Sequence, residues 1–195
     1  MELIQEMTHG FFVNRLKRKG DVWKTMRVLH MQDVAYFTGD QVVKPAKSEM
    51  KIYESDKDAI VVGHVGDVVL GKTMGSAMVI DEAFDGCLIN SNFVLIKIDK
   101  KCSPYFLAWY INESSAFKRY LFVNQQGSTS TKVLSITDLK AFNYISTDYT
   151  KENLIGEIYK HQVERKRLFM KQEQLEKKII NQQFKINRKK EKKYE

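Results

Sequence analysis

The chain has 195 residues, with 32 Lys and Arg against 24 Asp and Glu, so its formal net charge is +8. A hydrophobic content of 43% is enough to bury a core, and no apolar run approaches the ~20 residues that span a bilayer. The first twenty residues lack the apolar block of a signal peptide and two cysteines cannot form a disulfide scaffold, so we expect a reduced, cytoplasmic protein.

For residues 1–20 we expect a short helix or a loose arm that ends in a basic run. Between residues 22 and 98 the chain is rich in branched and aromatic residues and punctuated by glycines, which predicts short strands. Their spacing favours an α+β fold with a mixed or barrel-like sheet over repeated βαβ units. The predicted strands are residues 28–31, 33–37, 59–62, 67–70, 77–80 and 92–98.

Helices are predicted in the second half of the chain. Ser103 as N-cap and Pro104 in the first turn begin a helix that runs to about residue 121. A hydroxyl-rich loop at 125–132, a helical turn near 135–139 and a short strand at 141–145 follow. From residue 151 onward, the absence of proline predicts one helix of roughly 40 residues, about 60 Å long.

The predicted long helix carries apolar residues at alternating spacings of four and three, with polar interruptions, as in a coiled coil. Because one short domain cannot cover such a helix, we expect a partner helix. The predicted contacts with that partner are Leu154, Ile158, Leu168, Leu175, Ile179 and Ile186, which we call the seam.

The positive charge is unevenly distributed. Residues 1–150 hold 18 Lys and Arg against 17 Asp and Glu, whereas residues 151–195 hold 14 against 7. We therefore predict an N-terminal arm at 1–20, a β-rich domain at 21–148 and a long helix at 149–195. The overall charge does not by itself identify a phosphate-binding surface on the domain.

One local motif points to nucleotide chemistry. Residues 66–73 match the phosphate-binding loop pattern G-x-x-x-x-G-K-[ST], which makes a small nucleotide-binding protein that uses Lys72 one interpretation. The β-branched residues in the middle of the motif favour the other interpretation, a strand bounded by glycines. The scattered histidines and cysteines predict neither a metal site nor a catalytic nucleophile.

Seven short segments occur in a characteristic order before the long helix: VLHMQDV (28–34), GDVVL (66–70), LINSNF (88–93), SPYFLAWY (103–110), GST (127–129), LS (134–135) and DL (138–139). Their order and spacing resemble one half of the specificity subunit of type I restriction–modification enzymes, over about residues 22–185. Two departures are the missing proline and Glu-Gln pair before the long helix, and a length that has room for one recognition domain.

The resemblance implies a target-recognition domain that reads double-stranded DNA, and a helix that spaces such domains and docks methyltransferase subunits. Those subunits would bind S-adenosylmethionine, and a restriction subunit would add cleavage. The chain itself lacks the glycine-rich cofactor loop and the Asn/Asp-Pro-Pro-aromatic tetrapeptide of an adenine methyltransferase, so we expect it to be non-catalytic and without cofactor.

We expect two copies to pair as a homodimer that reads a bipartite palindromic site. A coiled-coil adaptor or inhibitor of methyltransferase subunits is the remaining alternative. For DNA contact we predict polar side chains in loops, which can reach phosphates and base edges. These are Lys72, Thr73, Ser76, Gln125, Gln126, Ser128, Thr129, Ser130 and Lys132.

Overall fold

A computed structural model describes residues 4–40, 44–124, 137, 139 and 148–191. It confirms the predicted α+β class and the long C-terminal helix. The strands are β1 (Ile4–His9), β2 (Val22–Arg27), β3 (Glu49–Tyr53), β4 (Val62–Gly63), β5 (Val68–Gly71), β6 (Ala77–Val79), β7 (Cys87–Leu88) and β8 (Phe93–Ile98). The helices are α1 (Met31–Thr38), α2 (Pro104–Glu113), α3 (Ser115–Asn124) and α4 (Tyr149–Glu191), with 3-10 turns at Val13–Arg15 and Glu54–Ala59.

The main sheet has the strand order β1-β8-β5-β6, and each neighbouring pair is antiparallel. Its centre is apolar on both faces, because β5 and the first four residues of β8 are buried throughout. Helices α1 and α2 contribute Phe37, Leu107 and Ile111 to the same core. The strands predicted at 67–70, 77–80 and 92–98 are therefore confirmed as β5, β6 and β8.

The N-terminal segment differs from the expected short helix or arm. Residues Ile4–His9 form an edge strand of the main sheet, with Ile4 opposite Ile98 and His9 opposite Val94. Its own apolar pattern is weak, and only Ile4 and Met7 pack against the core. The hydrogen-bonding edge of β8, remote in the sequence, determines this strand.

The strands predicted at 28–31 and 33–37 are also wrong, because residues Met31–Thr38 form α1. The reason is local capping. The His30 backbone N–H donates to Asp33 Oδ2 at 2.8 Å, and Gly39, at φ 76°, ends the helix in the left-handed conformation. These two caps outweigh the strand propensity of the intervening apolar residues.

Two further predicted boundaries differ from those in the structure, and a third is confirmed. The strand predicted at 59–62 is reduced to β4, because Glu54–Ala59 is a 3-10 turn. The single helix predicted to residue 121 is broken at Ser114, whose extended backbone separates α2 from α3. Ser103 is confirmed as the N-cap, since its Oγ accepts from the Phe106 N–H. The predicted loop at 125–132 and strand at 141–145 lie outside the described residues, whereas Thr137 and Leu139 are helical.

A smaller unit joins the main sheet on one side. Strands β2 and β3 form a two-stranded antiparallel ribbon that encloses a second core of Phe11, Met26, Val28, Ile52 and Leu88. Val28 and Phe11 bridge to the segment around β7, which ties the ribbon to the rest of the domain.

A buried carboxylate connects this ribbon to α1. Asp33, which is fully buried, accepts hydrogen bonds from Arg27 Nη2 at 2.9 Å and from the Ala46 N–H at 2.8 Å, in addition to that from His30. Arg27 in turn donates to the Ala83 carbonyl and lies over the Phe84 ring, with its guanidinium carbon 3.8 Å from the centroid. Asp33 thus ties the end of β2 and the segment at Ala46 to α1, and Arg27 extends the network to the remote segment at Ala83 and Phe84.

Candidate functional site

The turn between β5 and β6 carries three of the side chains predicted to contact DNA, namely Lys72, Thr73 and Ser76. The Gly71 N–H donates to the Ser76 carbonyl at 2.9 Å and closes the turn. The Lys72 N–H donates to the Asn92 carbonyl at 3.0 Å, so the turn adjoins the β7–β8 connection. Thr73 is exposed and Lys72 is half-buried, and this partial burial lowers the pKa of the Lys72 amine. The turn offers a hydroxyl, an amine and the exposed Asn92 amide on neighbouring loops.

The same segment does not form the phosphate-binding loop that its motif suggested. Val68–Gly71 is a buried strand in the interior of the sheet, and the residues after it turn into β6 instead of opening a helix. A phosphate-binding loop requires free backbone N–H groups at a helix N-terminus. The nucleotide-binding interpretation of Lys72 is therefore wrong, and the interpretation as a strand is confirmed.

The remaining predicted DNA-contacting residues lie outside the described part of the chain. They are Gln125, Gln126, Ser128, Thr129, Ser130 and Lys132. The segment follows α3, which ends at Asn124. Their assignment stays a prediction.

Helix α4 contains 43 residues, about 65 Å at 1.5 Å per residue, and its first half packs on the domain. The docking face consists of Glu152, Gly156, Tyr159 and Val163, all buried and spaced by three or four residues. Farther along, Arg167 Nη1 lies 3.4 Å from Asp81 Oδ2, and the guanidinium stacks on Tyr36 and Phe37. Beyond residue 174 every side chain described on this helix is exposed.

A chain of hydrogen bonds links this helix to the edge strand of the sheet. Asn112 Nδ2 on α2 donates to Tyr159 Oη and to the Ala77 carbonyl, both at 2.8 Å, and Asn112 Oδ1 accepts from the Ala77 N–H. The amide thereby occupies the edge of β6 as a neighbouring strand would. Burial raises the pKa of Tyr159 to about 12, so its hydroxyl stays protonated. Asn112 and Tyr159, which the sequence did not single out, couple α4 to the residue that follows Ser76.

The close approach of α4 to α2 depends on Gly156. A Cβ at this position would lie 2.2 Å from Ser103 Oγ and 2.9 Å from the Phe106 backbone nitrogen. We expect Gly156→Ala to lower the free energy of unfolding by about 1–3 kcal/mol in urea titrations, because overpacking outweighs the higher helix propensity of alanine. Glu157→Ala, at the exposed neighbouring position, is the control and should change stability by less than about 0.5 kcal/mol. A Gly156→Ala protein as stable as the wild type would contradict this packing.

The predicted seam lies on the side of α4 opposite the docking face. At about 100° per residue, Leu154 is turned roughly 200° from Glu152, and the later seam positions follow the same side. Leu154, Ile158, Leu168, Leu175 and Ile179 are between 50% and 67% exposed. Ile186 lies in the helix, and its side chain is outside the described set. The described part of the domain, residues 4–40 and 44–124, therefore leaves this apolar stripe exposed.

Metal ligation and membrane insertion find no support among the described residues. No three His, Cys, Asp or Glu side chains among them converge as a metal site would require. Within the described part of the chain, each helix is too short or too polar to span a lipid bilayer.

Comparison with known proteins gives a likeness in fold. No protein-family model and no curated protein matches the sequence. The structure is similar to a chain from a study of complex assembly and conformational transition of the type I R-M system, with a TM-score of 0.54 and 14% sequence identity. The alignment covers 92% of this chain and 40% of that chain, so the present sequence spans about two fifths of its neighbour's length. At this identity the similarity shows a shared fold.

Proposed function

We propose that this chain is a non-catalytic DNA-recognition subunit of a type I restriction–modification methyltransferase complex. One observation carries the proposal: a domain docked on one face of a long helix leaves an apolar stripe on the opposite face, in a fold shared with a type I R-M chain. Such a helix, paired with a second copy, is suited to hold two recognition domains at a set distance from each other. The catalytic subunits would supply S-adenosylmethionine and the chemistry, and a restriction subunit would add cleavage.

The proposal includes a homodimer. Antiparallel pairing through the seam would put one recognition domain toward each end of a two-helix spacer, and two-fold symmetry would then require a palindromic, bipartite target. The β5–β6 turn would face the DNA, with Lys72 and Thr73 contacting phosphates or base edges. An adaptor that binds methyltransferase subunits without DNA is the competing function.

The test is selection from a pool of random duplexes, performed with the chain alone and with type I methyltransferase subunits from its own genome. We expect enrichment of two half-sites related by two-fold symmetry and separated by a constant gap. A complex that forms with the methyltransferase subunits but enriches no sequence would favour the adaptor. Enrichment of an asymmetric site would contradict the homodimer.

The turn itself gives a sharper prediction. We expect Lys72→Ala and Thr73→Ala each to relax sequence preference at one position of each half-site, at a cost of about 1–3 kcal/mol against the best site if the contact is to a base. If the contact is to a phosphate, all duplexes should lose affinity alike. Competition binding between the selected site and its single-base variants distinguishes the two. Lys100→Ala, at an exposed position beyond β8, is the control. Unchanged binding by both turn variants would remove the turn from the interface.

A further inference from the structure

A compact group of cations lies at the free end of the β2–β3 ribbon. Arg15, Lys17, Arg18 and Lys19 are all exposed, and no carboxylate interrupts residues 14–20. We call residues 15–19 the basic loop. The domain is close to neutral as a whole, so this density of positive charge is local.

Hydrogen bonds to Asp56 and Ser55 hold the backbone of the basic loop in place. The Lys17 and Arg18 N–H groups donate to the two carboxylate oxygens of Asp56 at 2.7 and 2.9 Å, and the Lys19 N–H donates to Ser55 Oγ at 3.0 Å. Asp56 is only 1% exposed. Arg18 has a φ of 53°, a left-handed conformation that costs energy for a residue other than glycine. The fold thus fixes this backbone and directs its amides inward, while the cationic side chains remain exposed to solvent.

The surroundings of the basic loop favour an anionic partner. Asp56 is buried and engaged by the loop's own amides, and Glu54 pairs with Lys57. The exposed carboxylates that remain near the loop and on the ribbon are Asp21, Glu49 and Asp58. Lys24 and Lys51 on the ribbon add two exposed cations. The exposed aromatic rings at this end lie beside cations, with Arg15 over Phe12 at 4.5 Å and Lys57 over Trp23 at 5.1 Å.

We propose that the basic loop binds the phosphate backbone of duplex DNA and supplies much of the domain's sequence-independent affinity. The inference deepens the proposed function and rests on it. Duplex DNA presents a dense, regular line of negative charge, about one per 1.7 Å of axis, which four cations in five residues can engage together. A prepositioned loop also loses less conformational entropy on binding than a flexible basic tail. The loop anchors the domain, and the β5–β6 turn reads the sequence.

The test uses the full chain and fluorescent 30-base-pair duplexes of random sequence, titrated over a salt series. The variant is Lys17→Gln, Arg18→Gln, Lys19→Gln, which removes the three charges, keeps polar and flexible side chains, and leaves Asp56 and Ser55 in place. We expect the slope of log affinity against log salt to fall by about 0.9 for each phosphate that the variant no longer neutralises, and affinity near 0.1 M salt to fall on the order of 10-fold per phosphate. Lys17→Arg, Lys19→Arg should retain both quantities.

A matched control removes the same charge elsewhere on the domain. Lys100→Gln, Lys101→Gln, Lys118→Gln substitutes three exposed cations beyond β8 and on α3. If the control loses as much affinity and slope as the loop variant, general charge and not the loop binds DNA, and the inference is overturned. An unchanged slope in the loop variant, or tighter binding of a duplex RNA than of DNA, also overturns it.

The outcomes separate the loop from the proposed function. A wild-type chain that binds no duplex, with or without methyltransferase subunits, overturns both. A wild-type chain that selects a sequence while the loop variant retains its salt slope overturns the loop assignment alone.

Discussion

Simultaneous substitution of Leu168, Leu175 and Ile179 by Asp is expected to convert the proposed homodimer into a monomer at micromolar concentration. All three side chains are at least half exposed and lie on the face of α4 away from the domain. Fully burying an aliphatic side chain of this size contributes about 1.5–3 kcal/mol. Because these side chains are already a third to a half buried, the six in a dimer would contribute roughly 5–12 kcal/mol before the costs of association. Buried carboxylates in their place would oppose pairing further. Sedimentation velocity of wild type and variant measures the change directly.

A second triple substitution tests which face of α4 forms the interface. Phe169, Ile180 and Phe184 are also exposed on α4 but lie off the predicted seam. Converting them to Asp changes hydrophobicity and charge by a similar amount, and we expect the dimer to persist. Dissociation by this variant and not by the first would move the interface to the neighbouring stripe. A wild-type chain that sediments as a monomer would refute the homodimer.

The largest loss of stability is expected for Asp33→Ala, about 3–5 kcal/mol in the free energy of unfolding. The substitution leaves the partly buried Arg27 guanidinium without its carboxylate and removes the acceptor of the His30 and Ala46 N–H groups. It also removes the cap of α1. Urea titrations followed by circular dichroism give the difference.

Asp67→Ala is the matched control for this change. Asp67 accepts from the His64 N–H with the same three-residue spacing and the same 2.8 Å distance, but at an exposed site without an arginine partner. We expect it to cost about 1 kcal/mol or less. Equal losses in the two variants would show that local capping, and not the buried network, accounts for the effect of Asp33.

Features encoded by adjacent residues could be predicted, and features that depend on remote partners could not. The apolar runs of β5 and β8, the Ser103–Pro104 helix start and the long C-terminal helix are all local patterns. Strand β1 is determined instead by the edge of β8, about ninety residues away in the chain. Helix α1 is not predicted from the sequence, because its branched and aromatic residues favour a strand. Asp33 and Gly39 nevertheless mark its two ends.

The same distinction between local and remote determinants applies to the residues of the candidate interfaces. Lys72, Thr73 and Ser76 follow a strand that ends in glycine, so their place in a turn could be predicted. The run at 15–19 is visible in the sequence as a charge cluster, but its anchor is Asp56, which is 38 or more residues later. Asn112 and Tyr159 carry no sequence signal at all, since an amide that caps a strand edge is recognisable only from the contact.

The hydrogen bonds from Tyr159 through Asn112 to Ala77 have a consequence for building chimeras between proteins of this fold. The unit that can be transplanted intact does not stop where α4 begins. It extends into the helix as far as Arg167, whose guanidinium still contacts Asp81, Tyr36 and Phe37 of the domain. A chimera joined at residue 149 would cut through this packed surface, whereas one joined after 167 would carry the domain and its support together.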